Sequence, residues 1–228
     1  MAWINRHLGF NPRAQRASNV LSELVLADLR RASPQIDAAL ESGKLREKKN
    51  AEVRTAIASR NVDLVLHLGE VPAVSVVTSV ENKSIMTSHG KARKNRFGDL
   101  VAYCNHMHNH RRDCIAAGVV VVNLSSAYAN PDPFAKWLKR NRFDIRKVVA
   151  DTIRLFANIP LRASPDEPSD QPEALAVILV DYDGKTPARL VTEPPAPQPG
   201  DPIEYRSFLD KVAGLYGRRF SQLQSTGD

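Results

Sequence analysis

From Ser18 onward the chain sets Leu21, Leu24, Val25 and Leu29 at helical spacing, which predicts an amphipathic helix over 18–32 with Ser18 as its N-cap. Pro34 opens a second short helix and Gly43 stops it. Residues 44–60 are polar and basic, and the reading there is a helix over 45–59. The period then changes. Val62-Asp63-Leu64-Val65-Leu66-His67-Leu68-Gly69 reads as a strand, Glu70-Val71-Pro72 as a connection, and the Val- and Thr-rich stretch from Ala73 to Lys83 as a longer strand. So short a connection implies an antiparallel hairpin. After Gly90 the helical period returns, with Phe97, Leu100, Val101, Cys104 and Met107 on one face.

The apolar run Val119-Val120-Val121-Val122-Asn123-Leu124 has the character of a buried strand. Asp132 or Pro133 opens another helical stretch, whose later part carries Ile145, Val148, Val149, Thr152, Ile153 and Phe156 on one face. Residues 163–172 form a polar, Pro-containing loop, 174–180 a buried strand, 193–202 a second Pro-rich loop, and 205–220 a closing helix. This order predicts an α/β fold with a mixed central β-sheet flanked by helices. A single domain over 1–228 is expected: N-terminal helices over 18–60, a core over 61–180, and a loop and helix over 181–228.

Charge adds a second kind of information. The net charge is +7 and the pI about 9.6, unevenly spread. Residues 1–159 hold 25 Lys/Arg and 14 Asp/Glu, a balance of +11, whereas residues 160–204 hold 3 and 9, a balance of −6. A basic body suits a polyanionic partner. No apolar run approaches bilayer length, the first residues lack a secretory apolar core, and two cysteines, Cys104 and Cys114, imply no disulfide framework. The expectation is a cytoplasmic protein without membrane association.

The candidate chemistry lies between Asn61 and Leu100. Pairing around a turn near residue 71 brings Asp63 toward Glu81-Asn82-Lys83, and strand alternation puts Glu81 and Lys83 on one face. Two carboxylates are suitable oxygen ligands for Mg²⁺, which polarises a phosphate and acidifies bound water. A lysine beside them stabilises charge developing on the phosphate. The main-chain carbonyl of Asn82 is a candidate further ligand. E-x-K alone is short and is often just a solvated strand end; here it terminates a strand that reads as buried.

Asp63, seventeen intervening residues, and Glu81-Asn82-Lys83 after a Val-rich strand resemble the PD-(D/E)XK nuclease superfamily, and most of all type II restriction endonucleases. The order helix, hairpin, helix, strand, helix is similar to that family's core over roughly residues 18–180. Val62 stands where the family often has proline. The resemblance implies a restriction-endonuclease-like sheet and Asp63, Glu81 and Lys83 as catalytic residues. It also implies Mg²⁺ (or Mn²⁺) held by Asp63, Glu81 and the Asn82 carbonyl. Glu70 remains a competing acid, and Glu23 matches a helical acid that some of these enzymes use as an extra ligand.

Lys91, Arg93, Lys94 and Arg96 follow at a helix start and are candidate phosphate contacts. Lys136, Lys139, Arg140, Arg142, Arg146 and Lys147 form a second basic cluster, from which Lys139 and Arg140 are the expected nucleic-acid contacts. His106, His108 and His110 lie between Cys104 and Cys114, but the spacing matches no standard zinc finger, so a surface or subunit-contact role is expected. No phosphate-binding P-loop occurs. The sequence therefore predicts a Mg²⁺-dependent endonuclease on double-stranded DNA, acting as a homodimer and sequence-specific like a type II restriction enzyme. The alternatives are a regulated phage-defence or repair nuclease on other DNA or RNA, a non-catalytic nucleic-acid-binding protein, or a zinc-dependent interaction module.

Overall fold

A computed structural model describes residues 15–69, 75–126 and 144–220. The first helix, α1 (Gln15–Ala32), begins before Ser18, so Ser18 lies inside it rather than capping it. Its buried face is Leu21, Val25 and Leu29, one turn apart. Helix α2 (Pro34–Glu41) starts where expected: Ser33 caps it by accepting from the Ile36 N–H at 3.2 Å, with proline in the first turn.

The next element corrects the sequence reading. Residues 45–54 form strand β1 (Leu45–Arg54), not a helix. Only Leu45, Ala51 and Val53 are buried, which is why the alternation is hard to see beneath Arg46, Glu47, Lys48 and Lys49. β1 is an edge strand, and edges tolerate charge because one side faces solvent. β2 (Ser59–Leu68) and β3 (Val76–Ile85) complete an antiparallel three-stranded meander in place of the expected two-stranded hairpin.

Helix α3 (His89–His110) crosses to β4 (Ile115–Asn123), which runs parallel to β3 and is buried throughout. Helix α4 (Ile145–Ala157) is capped by Asp144, and the expected helix start near Asp132 or Pro133 lies outside the described residues. β5 (Ala174–Asp181) is parallel to β4, and the two-residue β6 (Arg189–Leu190) closes the sheet antiparallel. Helix α5 (Tyr205–Phe220) follows. The result is a six-stranded mixed sheet in the order β1-β2-β3-β4-β5-β6.

Helices cover both faces. α1 and α5 pack with Leu64, Leu66, Val80, Val119 and Val121 on one side. α3 and α4 pack with Val65, Ala116, Val120 and Val177 on the other. Residues alternate between the two cores along β4, as a doubly covered strand requires. Among the described residues, no helix is long and apolar enough to cross a membrane.

A buried ionic cluster ties the far side of the sheet together. Glu173, fully buried just before β5, accepts from Arg162 (3.1 Å) and Arg219 (2.9 Å) on one oxygen. Its other oxygen accepts from His108 Nε2 and the Ala116 N–H, both at 2.9 Å. This accounts for His108. His106 Nδ1 meets Thr55 Oγ1 at 3.2 Å and His110 Nδ1 donates to the Arg54 carbonyl at 2.8 Å, so these two fasten the far end of the β1–β2 ribbon to α3. Cys104 and Cys114 are buried and unbridged.

Candidate active site

The ribbon of β1 and β2 changes sides at Asp63. Leu64 and Leu66 pack toward α1 and α5, whereas Val62, with Ala51 and Val53 opposite, packs toward α3. The ladder pairs Lys49 with Leu64 and Ala51 with Val62 but skips the pair between them, and Asn50 there has φ +49°. Asparagine tolerates this left-handed backbone better than most side chains. Pairing of β2 with β3 also ends at Leu64 and Val80. Asp63 therefore lies inside β2 rather than at its start, at the point where β2 parts from β3 and its side chain can enter the gap.

Three segments meet in that gap. Asp63 Oδ1 accepts from the Ser18 hydroxyl of α1 at 2.6 Å, and Oδ2 accepts from the Asn82 main-chain N–H at 2.8 Å. The Asn82 side-chain amide donates to Ser22 Oγ at 2.8 Å and to Ser18 Oγ at 3.3 Å. Ser22 Oγ donates to the Asp63 carbonyl at 3.2 Å.

Glu81 and Lys83 share the opposite face of β3 from Asn82, and Lys83 Nζ donates to Glu81 Oε1 at 2.5 Å. Arg60 Nη2 approaches the same oxygen at 3.4 Å and donates to the Asp99 carbonyl at 3.3 Å, its guanidinium lying over the Tyr103 ring at 5.6 Å. In parallel register with Glu81 is Gly118 of β4. A Cβ there would stand 2.7 Å from Leu100 Cδ1, so the glycine is what lets α3 lie close beside the acid.

Glu81 is only 4% exposed. Burial raises its pKa above the usual carboxylate range; the Lys83 charge opposes that rise, and the Asp63 charge adds to it. Its second oxygen, Oε2, is buried and has no hydrogen-bond partner, as have Asn82 Oδ1 and Arg60 Nε. Buried polar atoms are nearly always paired, so the orphaned Glu81 Oε2 and Arg60 Nε, in residues that meet at Glu81 Oε1, mark a place that another ligand or water completes.

Asp63, Glu81, Lys83 and Asn82 thus come together. The other expected contacts among the described residues do not join them. Glu23 is exposed on α1, with Lys49 Nζ on its carboxylate at 2.7 Å. Glu70, Lys136, Lys139, Arg140 and Arg142 lie outside the described residues. Lys91 and Lys94 are exposed on the first turns of α3, and Arg93 acts on Asp151 of α4. Arg96 pairs with Asp99 at 2.8 Å and so reaches Glu81 only through Asp99 and Arg60. Sequence reasoning missed Ser18, Ser22, Arg60 and the Asn82 side chain. The one available signal was two serines at i, i+4 on the buried side of an amphipathic helix.

Asp63 and Glu81, whose charges act on each other, are the carboxylates that could hold a cation, and water or phosphate oxygens would supply the rest. Among the described residues no group of three or more His, Cys, Asp or Glu is gathered as a metal cage. A magnesium site has no need of one, because that ion keeps several waters and uses one or two carboxylates with substrate phosphates. Comparison with protein-family models, with curated proteins and with solved structures finds no match to this chain.

Proposed function

We propose that this protein is a Mg²⁺-dependent endonuclease with a restriction-endonuclease-like active site of the PD-(D/E)XK kind. The observation that carries the reading is the buried Glu81 carboxylate, one oxygen orphaned, beside Asp63 and bonded to Lys83. Asp63 and Glu81 are the side chains that would hold the metal, with the Asn82 main-chain carbonyl as a further ligand. Bound there, Mg²⁺ or Mn²⁺ supplies phosphate polarisation and acidified water. Lys83, whose donor rests on Glu81 Oε1, would neutralise charge that grows on the phosphate oxygens during attack. Arg60 adds a second positive charge at the same acid. Lys91, Arg93, Lys94 and Arg96 at the start of α3 steer the polyanion toward the gap, and Lys139 and Arg140 are further candidate contacts.

The substrate proposed is double-stranded DNA, cut at a specific short sequence in the manner of a type II enzyme. Two copies related by a two-fold axis would place one site on each strand. Supercoiled plasmid incubated with the protein and Mg²⁺, with EDTA as control, tests the reading. Sequencing the fragment ends then reports specificity. Discrete fragments sharing a short palindrome support it, and a smear or cutting confined to single strands points to a regulated defence or repair nuclease. Glu81 Oε1 already meets both Lys83 and Arg60, which favours a second reading in which the cluster is a structural ion pair in a non-catalytic nucleic-acid-binding protein. A mobility shift without cleavage would select that one.

A further inference from the structure

We infer that Ser18 of α1 is a positioning residue for Asp63 and sets the affinity of the site for a divalent cation. The inference rests on the metal-dependent reading above. The hydrogen-bond directions around Ser18 are fixed by chemistry. The Asn82 amide nitrogen has only protons to offer, so it donates to Ser18 Oγ at 3.3 Å and Ser22 Oγ at 2.8 Å. The single Ser18 proton is then spent on Asp63 Oδ1 at 2.6 Å, and the Asn82 N–H holds Oδ2 at 2.8 Å. The Asp63 carboxyl group thus accepts one bond on each oxygen, one from a side chain and one from the main chain. The two bonds set the carboxylate plane before any ligand arrives.

Ser18 and Ser22 stand one turn apart on α1, so the helix grips both the side chain and the main chain of Asp63. Packing of α1 does not depend on Ser18: Leu21, Val25 and Leu29 fill the core, and Ser18 is only half-buried. Its hydroxyl can therefore be removed without dismantling the helix. Outer groups that orient a metal's ligands commonly change affinity by about ten- to a hundredfold. Ser18 sits 45 residues from Asp63, so α1 becomes part of the site through a serine rather than through Glu23.

The test is titration of the full chain with Mn²⁺, read by water-proton relaxation without DNA. Wild type should bind Mn²⁺ in a manner that Glu81→Ala removes. Ser18→Ala should weaken that binding about tenfold with an unchanged melting temperature, and Ser18→Thr, which keeps the hydroxyl, should restore it. On an Asp63→Asn background, Ser18→Ala should cause no further loss, because its effect runs through that carboxylate. Equal Mn²⁺ affinity in wild type and Ser18→Ala, or additive losses in the double variant, overturns the inference while leaving the nuclease reading standing. If wild type binds no Mn²⁺ that Glu81→Ala removes, both fall together. Should Ser18→Ala fold poorly, Ser18→Cys supplies the same comparison with a weaker donor.

Discussion

Among the described residues two glutamates are buried, Glu81 in β3 and Glu173 just before β5, and their surroundings are opposite. Glu173 receives four donors, two on each oxygen, from Arg162, Arg219, His108 and a main-chain N–H. Both ring nitrogens of His108 face acceptors, the Ser169 carbonyl and Glu173 Oε2. Burial pushes the Glu173 pKa up, but the His108 and then the Arg219 bonds and charges outweigh it and leave it below the usual value. Glu81 has donors on one oxygen only, and its pKa lies above the usual value. A saturated buried acid fastens structure together. An unsaturated one is tolerated at a cost in stability, and such costs concentrate where a protein binds or reacts.

The comparison is broken most severely at Glu173. Glu173→Ala leaves the Arg162 and Arg219 guanidiniums without their counter-charge and the His108 ring without its carboxylate partner. The expected loss of stability is about 3–5 kcal/mol, read by denaturant unfolding. A loss well under 1 kcal/mol would show that the cluster is not the lock described. Gly118→Ala is next. The new methyl must push aside Leu100 and Leu175, at a cost of about 1–3 kcal/mol, and it displaces α3 from beside Glu81. Chemical unfolding and the cleavage rate should fall together in this variant.

The smallest effect is the most discriminating, because the two acids differ in sign. The folded-state pKa of Glu81 is raised, so its contribution to stability is present at acid pH and is lost as pH rises through that pKa. Glu81→Gln should therefore gain on wild type in melting temperature as pH rises above the ordinary glutamate range. The folded-state pKa of Glu173 is depressed, so its contribution is present above the ordinary glutamate pKa and is lost as pH falls through the depressed value. Glu173→Gln should trail wild type most at neutral pH and approach it in acid. Melting curves across pH, showing both variants moving the same way relative to wild type, would contradict the assignment.

The sequence made one part of this legible and hid another. β3, β4 and β5 announce themselves because a doubly covered strand is apolar on both faces, and Glu81-Asn82-Lys83 stands out against the Val-rich stretch before it. β1 was masked by its own edge position: its exposed residues are Lys, Arg, Glu and Asn, and only its pairing with β2 makes it a strand. Asp63 was identified as a residue, but its hold on Ser18 depends on how α1 crosses the ribbon, which no local period encodes. The Glu173 cluster gathers residues 108, 162, 173 and 219 from four separate segments, and spacing along the chain gives no sign of it.

The direct test of the central claim is the initial rate of supercoiled plasmid nicking in Mg²⁺ by wild type, Glu81→Ala and Glu173→Gln, each normalised to its folded fraction. On the proposed reading Glu81→Ala loses activity by orders of magnitude while remaining folded, since Glu81 would there be a metal ligand whose loss removes several kcal/mol of transition-state stabilisation. The same reading predicts that folded Glu173→Gln nicks at a rate near wild type. Near-wild-type nicking by Glu81→Ala, or no Mg²⁺-dependent nicking by wild type, would contradict it.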